Sequence, residues 1–229
     1  MPRSARFCLL ALALILAGCG PLRSLPPADL AGHHRIRVFT DGFHSGLIVE
    51  RQVLPRDLDP PLPGAFDRAR LKSLHFGEEE WTAGRDMSDF HALRLAFIPG
   101  TGVVQSDPTQ ADASGVPGLE RERLRTWDFT LSDDTMAALI KRLAEHWVAR
   151  PVHIVDEPDL PPTTLFYARR DWSGFDNCHD FTVDLLRAAG LNLRPQTLRL
   201  ARNLAKDLDQ AQNQLTEAGI SVIGPINPP

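Results

Sequence analysis

The chain has 229 residues and a formal net charge of −4 at pH 7, with 43% hydrophobic and 24% charged residues. A chain of this size can bury the core of one domain, or of two small ones. The mild acidity, without a cluster of Lys and Arg, argues against nucleic acid as a partner. No paired spacing of histidines and cysteines predicts a metal site, and no cofactor is expected.

The N-terminus is typical of an export signal. Arg3 and Arg6 give it a positive charge, and residues 7–17 form an uncharged apolar run. A run of about a dozen residues is too short to span a bilayer, which takes roughly 20. The signal peptide is therefore predicted to cover residues 1–18, and the mature protein to be exported.

The end of this signal predicts lipid attachment. Residues 16–19, Leu-Ala-Gly-Cys, resemble the lipobox of bacterial lipoproteins, which implies acylation of Cys19. Two or more acyl chains would hold the protein firmly on a membrane. Gly20 stands where an Asp, in the enterobacterial pattern, retains lipoproteins at the inner membrane, so we predict outer-membrane attachment facing the periplasm. The alternative is an ordinary secretory signal cleaved nearby.

Three regions follow the signal. Residues 19–34, rich in proline, are predicted to be a tether, residues 35–195 to form one domain, and residues 196–229 to add a helix and a tail to it. Alternating polarity and short apolar runs predict four strands, at 35–39, 44–49, 74–77 and 124–129. Asp41-Gly42 marks a turn between the first two. Prolines and small residues predict loops at 55–64, 106–118 and 156–163.

Helix signals dominate the second half of the chain. Ser132, followed by two aspartates, predicts the start of a helix with an apolar stripe that extends to Trp147. Asn177 predicts another helix start, with Cys178 at the first helical position and a stop at Gly190. A last helix is predicted over residues 196–218. Strands and helices mix without a regular βαβ alternation, which predicts the α+β class.

Cys178 is the one free thiol expected in the exported chain, because Cys8 leaves with the signal and Cys19 is predicted to be acylated. A cysteine at a helix N-terminus is favoured as a nucleophile, since unpaired N–H groups and about half a positive charge stabilise its thiolate. The alternative is a small buried core residue. The sequence therefore predicts either a nucleophile or an inert core thiol.

His44 is the best candidate for a base that activates Cys178, because it begins a predicted strand and Ser45-Gly46 after it allow close approach. His179 is predicted not to serve. Neighbouring helical residues point about 100° apart and do not face each other. A third polar group is expected to orient the imidazole of the base.

These motifs carry a resemblance to known families. Residues 43–49 followed by residues 177–181 are similar to the circularly permuted papain-like arrangement of the NlpC/P60 and lecithin–retinol acyltransferase group. The nearer resemblance, over most of residues 35–193, is to the DUF2459 family of bacterial lipoproteins. The chain departs from that family's pattern at Glu78-Glu79-Glu80-Trp81 and at His179-Asp180-Phe181.

The resemblance implies an antiparallel sheet packed against the cysteine-bearing helix, and a thiol amidase, peptidase or acyltransferase. Cys178 would be the nucleophile and His44 the base, with His75 as the orienting residue and Glu78 or Glu80 as its rivals. Peptidoglycan peptides or lipid acyl groups would be the substrates, and the membrane would be contacted through the N-terminal lipid. The alternative is a degenerate, non-catalytic lipoprotein that binds an envelope partner.

Overall fold

The computed structural model describes residues 33–61, 68–109, 116, 119–155, 163–194 and 201–217. The predicted signal peptide, the predicted lipid attachment at Cys19 and the predicted tether before its last two residues lie outside the described residues. Within the described ranges, every helix is too short or too polar to cross a membrane.

Seven strands form one sheet, in which each neighbouring pair is antiparallel. Their order across the sheet is β5-β1-β2-β3-β4-β7-β6. The strands are β1 (His34–Thr40), β2 (Ser45–Glu50), β3 (Leu71–Glu78), β4 (Gly102–Thr109), β5 (Arg125–Leu131), β6 (Trp147–Val155) and β7 (Thr163–Ala168).

Five α-helices accompany the sheet in the described part of the chain, which confirms the α+β class. They are α1 (Glu79–Thr82), α2 (Asp89–Leu95), α3 (Asp133–His146), α4 (Cys178–Ala188) and α5 (Ala201–Glu217). Short 3-10 helices occupy Arg51–Val53, Arg56–Leu58 and Arg121–Arg123.

The two faces of the sheet have different neighbours because successive strand residues point to opposite sides. Leu47 and Val49 of β2 belong to the main core, which also contains buried residues of α3, α4 and α5. Ile48, between them, packs with Phe39 in a smaller cluster. The helix that carries Cys178 therefore lies against β2 and β3.

The predicted start of α4 is confirmed in detail. The side chain of Asn177 accepts a hydrogen bond from the His179 N–H at 2.8 Å, and Asp180 accepts one from the Asn177 N–H at 3.3 Å. This reciprocal pair is a capping box, which satisfies N–H groups that have no partner inside the helix. Cys178 is thus the first helical residue, and the helix ends before Gly190, whose φ of 83° is left-handed.

Other boundaries predicted from the sequence differ from the structure. The predicted loop at 106–118 is wrong for residues 106–109, which belong to β4. This strand is buried along its whole length although it contains Ser, Asp and Pro. Because strands are predicted from apolar alternation, a strand with these polar residues is not recognised in the sequence. β6 and β7 were not predicted, and Trp147 begins β6 instead of extending α3. The remaining residues of that loop, except 116, and residues 156–162 lie outside the described residues.

Gly46 is required by the packing of β2. A β-carbon at this position would overlap the carbonyl oxygen of Leu74 on β3 and lie 2.8 Å from Cζ of Phe39. We expect Gly46→Ala to destabilise the protein by about 1–3 kcal/mol, since the overlapping atom is backbone and the strands must separate. Urea unfolding followed by far-UV circular dichroism measures this loss. An unchanged midpoint at unchanged slope would contradict the close approach of β2 to β3.

Candidate active site

Cys178 lies in the wall of a cavity of about 740 Å³. Only 7% of the residue is exposed, and its Sγ lies 3.7 Å from the carbonyl oxygen of Phe43. The cavity walls combine eight polar residues, His44 among them, with apolar side chains such as Phe76 and Trp172. A concave, mostly apolar site with a few converging polar groups is what small-ligand sites look like.

His44 lies at the rim of this cavity, directly before β2. Its side chain is 46% exposed, and its Nδ1 lies 3.3 Å from Oδ2 of Asp41. Within the described part of the chain, no hydrogen bond joins His44 to Cys178, although both line the same cavity. The two residues that the sequence analysis paired therefore line one cavity.

Asp41 holds the turn that presents His44. It is fully buried, and it accepts hydrogen bonds from the backbone N–H groups of Phe43 at 2.9 Å, His44 at 2.7 Å and Glu120 at 2.9 Å. Burial alone would raise the pKa of this carboxyl, but the hydrogen bonds from the His44 ring and from these three N–H groups hold the pKa far below its usual range. Asp41 is therefore an anion beside the imidazole.

The three predicted orienting residues have other partners. His75 lines the cavity, but its Nε2 lies 3.3 Å from Asp107 and 3.4 Å from Ser73. Glu78 caps α1 and lies 2.9 Å from Nε2 of His91, and Glu80 pairs with Arg85 at 3.5 Å. Among the described residues, no hydrogen bond or ion pair joins any of the three to the His44 ring, whereas Oδ2 of Asp41 lies 3.3 Å from its Nδ1.

Sequence reasoning missed Asp41 as a site residue, although it singled out Asp41-Gly42 as a turn. The available signal was the three-residue spacing from Asp41 to His44, since an aspartate at the start of a turn bonds backbone N–H groups two or three residues on. That spacing predicts the backbone contacts. The contact with the ring depends also on how the turn is folded.

His179 lies close to the thiol, so the prediction that it points away is wrong. Its Nδ1 is 3.8 Å from Sγ of Cys178 and 2.9 Å from Oγ of Ser45. The Ser45 hydroxyl in turn lies 3.0 Å from Oγ1 of Thr182, which donates to the carbonyl oxygen of Cys178 at 2.8 Å. Because Thr182 uses its proton on that carbonyl, Ser45 must donate to Thr182 and accept from Nδ1–H of His179.

This chain of hydrogen bonds ties the first turn of α4 to the first residue of β2. All four of its members are buried. It leaves His179 as a donor at Nδ1, so this nitrogen cannot accept a proton from the thiol. His179 therefore fixes the position of Cys178 relative to the strand that follows His44.

The thiol of Cys178 is not activated in this structure. Burial raises its pKa to about 11, and the hydrogen bond from the backbone N–H of Ser45 offsets only part of that shift. The sequence had predicted a lowered pKa from the helix N-terminus. Desolvation of the thiolate outweighs that attraction here, because a buried charge loses its hydration.

We expect the Cys178 thiol of the native protein to react with iodoacetamide more slowly than an ordinary cysteine at pH 8. Its rate should rise about tenfold per pH unit until the pH approaches 11, since the thiolate is the reacting form. Mass spectrometry of the peptide that contains Cys178 gives this rate separately from the other cysteines. The same peptide from urea-unfolded protein is the control, and the pH at which its alkylation rate is half-maximal should be about 8.5. Equal midpoints in the two states would contradict the shift.

One group of described residues could hold a metal ion, away from the cavity that contains Cys178. His33, His34 and Asp133 each offer one ligand atom, and these atoms lie within 4.8 Å of one another. Both rings already contact Oδ1 of Asp133, at 3.2 Å and 2.8 Å, and two of the three residues are exposed. Hydrogen bonding between these side chains accounts for the cluster, so it carries no assignment.

Comparison of the chain with protein-family models, with curated proteins and with solved structures found no match in any of the three.

Proposed function

We propose that this protein is a lipid-anchored enzyme of the bacterial cell envelope, a thiol-dependent hydrolase or acyltransferase. The observation that carries the proposal is a cavity lined by both Cys178 and His44, with a carboxylate beside the histidine. Cys178 stands at a capped helix start, His44 lines the same cavity, and Oδ2 of the buried Asp41 lies 3.3 Å from Nδ1 of His44. These are the parts that nucleophilic catalysis needs: a nucleophile, a base and a group that orients the base.

In the proposed reaction Cys178 attacks the carbonyl carbon of an ester or amide. His44 takes the thiol proton at Nε2 as the S–C bond forms, and returns it to the departing alcohol or amine as the tetrahedral intermediate collapses to a thioester. Water, or an acceptor alcohol or amine, then attacks the thioester. His44 takes the proton of this second nucleophile and gives it back to the sulfur of Cys178 as the acyl group leaves.

Two further groups have defined roles in this mechanism. Asp41 accepts Nδ1–H of His44, which keeps Nε2 free as the base and stabilises the imidazolium that forms. The backbone N–H of Cys178 is at the first helical position, where it has no acceptor inside the helix. It is therefore available to the oxyanion of the tetrahedral intermediate, together with the partial positive charge of the helix end.

The antiparallel sheet, with the cysteine-bearing helix packed on β2 and β3, supports a more specific fold assignment within the α+β class, the circularly permuted papain-like fold. The order of the groups along the chain, with the histidine on an early strand and the cysteine at a later helix start, agrees with it. Attachment to the outer membrane through Cys19 belongs to the same proposal and rests on the lipobox resemblance.

The direct test is to trap the thioester. A short-chain p-nitrophenyl ester, quenched with acid during turnover, should leave one acyl group on the peptide that contains Cys178. Cys178→Ala should abolish both this adduct and the release of p-nitrophenol above background. Unchanged release in Cys178→Ala, or an adduct on another residue only, would overturn the proposal.

A second candidate function is a non-catalytic domain that binds an envelope partner on the same fold. The buried thiol with its pKa raised to about 11, and the lack of a hydrogen bond from His44, favour this candidate. It requires that Cys178 form no acyl adduct with any activated ester and react with iodoacetamide only when the protein unfolds. Under the enzyme proposal, the thioester forms in the folded protein.

A further inference from the structure

The helix α2 (Asp89–Leu95) has an apolar face that no other part of the described chain covers. His91 and Leu95, four residues apart, are buried on one side of the helix, where His91 contacts Glu78 at 2.9 Å. Phe90 and Leu93 are 77% and 63% exposed, and Phe97, in the turn that continues the helix, is 73% exposed. Positions 90, 93 and 97 share one helical face.

The other large exposed side chains nearby extend this face into a surface around the cavity. Met87 and Phe43, both in the cavity wall, are 63% and 60% exposed, and Ile98 and Phe175 are also exposed. Phe175 adjoins α2, because the N–H of Gly174 donates to the carbonyl oxygen of Leu95 at 3.1 Å.

Exposed hydrophobic residues are concentrated here and not scattered over the protein. Seven of the nine large hydrophobic side chains that are exposed among the described residues fall in this region: Phe43, Met87, Phe90, Leu93, Phe97, Ile98 and Phe175. We call these seven residues the apolar rim. Single exposed hydrophobic residues are normal, but a concentration beside a cavity marks an interaction surface.

We propose that the apolar rim docks on a lipid bilayer and opens the cavity to the acyl region, so that the cavity admits an acyl chain of a membrane lipid to Cys178. The acyl-chain half rests on the proposed catalysis at Cys178, whereas the docking rests on the proposed lipid anchor at Cys19 and not on catalysis. The cavity of about 740 Å³ is within the usual size range of ligand sites, and its interior is continuous with the rim through Phe43 and Met87.

The predicted lipid anchor at Cys19 favours a bilayer as the partner that covers the apolar rim. Residues 20–32, between the predicted acylated Cys19 and His33, can span at most about 45 Å. β1 (His34–Thr40) runs from that point towards Phe43, and seven strand residues cover only about 23 Å. The tether is therefore long enough for the apolar rim to reach the membrane that holds the lipid anchor.

The test uses the full lipidated chain in phosphatidylethanolamine/phosphatidylglycerol vesicles whose acyl chains carry bromine, which quenches tryptophan on contact. Phe90→Trp adds a tryptophan to the apolar rim, and Ala144→Trp adds one at an exposed position on α3 as the matched control. Spectra of the wild-type protein are subtracted to remove its four native tryptophans. We expect strong quenching at position 90 and none at position 144.

Each other outcome overturns the docking proposal. Absence of quenching at position 90 would show that the apolar rim stays in water. Equal quenching at positions 90 and 144 would show that the protein adsorbs to the vesicles non-specifically. A blue-shifted emission at position 90 without vesicles, dependent on protein concentration, would show that a second copy of the chain covers the rim.

The acyl-chain half of the proposal has its own measurement. Phe90→Ser combined with Leu93→Ser should lower hydrolysis of a long-chain p-nitrophenyl ester in vesicles by at least about tenfold, because two large apolar side chains no longer anchor the rim. Hydrolysis of a short-chain ester in solution should stay unchanged, since neither residue lines the cavity. Equal losses on both esters would overturn acyl-chain access from the bilayer. If Cys178→Ala changes neither rate, the proposed function fails, whereas the quenching result stands.

Discussion

Replacing His44 with alanine is expected to lower kcat/KM for a short-chain p-nitrophenyl ester by about 100- to 10,000-fold, the usual contribution of a general base. The substitution removes the group that takes the proton from Cys178, and the cavity keeps its other walls. Initial rates over a range of ester concentrations measure the loss. The His44 side chain is half-exposed and makes one hydrogen bond, so the variant should fold normally. A kcat/KM within twofold of the wild-type value would remove His44 from the mechanism.

Asp41→Asn and His75→Gln, compared side by side, decide which residue orients His44. The asparagine amide at position 41 would donate towards Nδ1 of His44, which favours the tautomer with the proton on Nε2 and blocks the base. We expect kcat to fall at least about tenfold with KM little changed, because the orienting role acts in the transition state. His75 contacts Asp107 and Ser73 and not His44, so His75→Gln should change kcat far less.

The comparison also separates a positioning role from a structural one. Asp41 binds three backbone N–H groups, and its replacement could loosen the turn. Thermal unfolding of both variants gives the stability change. If Asp41→Asn lowers the unfolding temperature but leaves kcat intact, Asp41 is structural only. If His75→Gln costs as much kcat as His44→Ala, the sequence-based assignment of His75 stands and the role given to Asp41 is wrong.

Phe181→Ala is expected to lower the free energy of unfolding by about 3–5 kcal/mol, the usual cost of truncating a fully buried phenylalanine. Phe181 is 0% exposed one turn after Cys178 in α4. Its ring stacks on Phe76 at 5.6 Å and meets His146 edge-on at 5.2 Å. The loss is a large part of the stability of a typical domain, which is about 5–15 kcal/mol. Urea unfolding followed by circular dichroism measures it.

Phe175→Ala is the matched control for this substitution. The same atoms are removed from a ring that is 58% exposed, so the expected change is within about 0.5 kcal/mol. A loss below about 1 kcal/mol for Phe181→Ala, or equal losses for the two variants, would contradict the core that seats α4 on the sheet.

Features that depend on neighbouring residues were predictable from the sequence. Asn177 and Asp180 bracket the start of α4, and Ser132 caps α3 by accepting from the Thr135 N–H at 3.4 Å. The alternation in residues 35–39 predicted that β1 exists, although residues 36–40 are buried one after another and not in alternation. Each of these predictions depends on contacts between residues a few positions apart. The local sequence therefore contains all the information that the prediction needs.

Strands that are buried on both faces were harder to predict. β4 contains Gln105, Ser106 and Asp107, all of which are buried. Gln105 donates to the Asp107 carboxylate at 2.9 Å, and Ser73 on β3 donates to it at 3.3 Å. Ser73 lies 34 residues before Asp107 along the chain. A buried polar group needs a hydrogen-bond partner, and a partner so far away leaves no sign in the segment that contains Asp107.

The sequence by itself determined that Cys178 begins a capped helix, that a strand starts next to His44, and that the chain belongs to the α+β class. Only the tertiary structure decided that the thiol is buried with its pKa raised to about 11, that Asp41 faces the His44 ring, and that His179 is held by Ser45. The physical reason is distance along the chain. Helix caps and strand alternation arise between near neighbours, whereas the contact of Cys178 with Phe43 joins residues 135 positions apart. Burial and electrostatics at a site depend on every group that the fold brings to it.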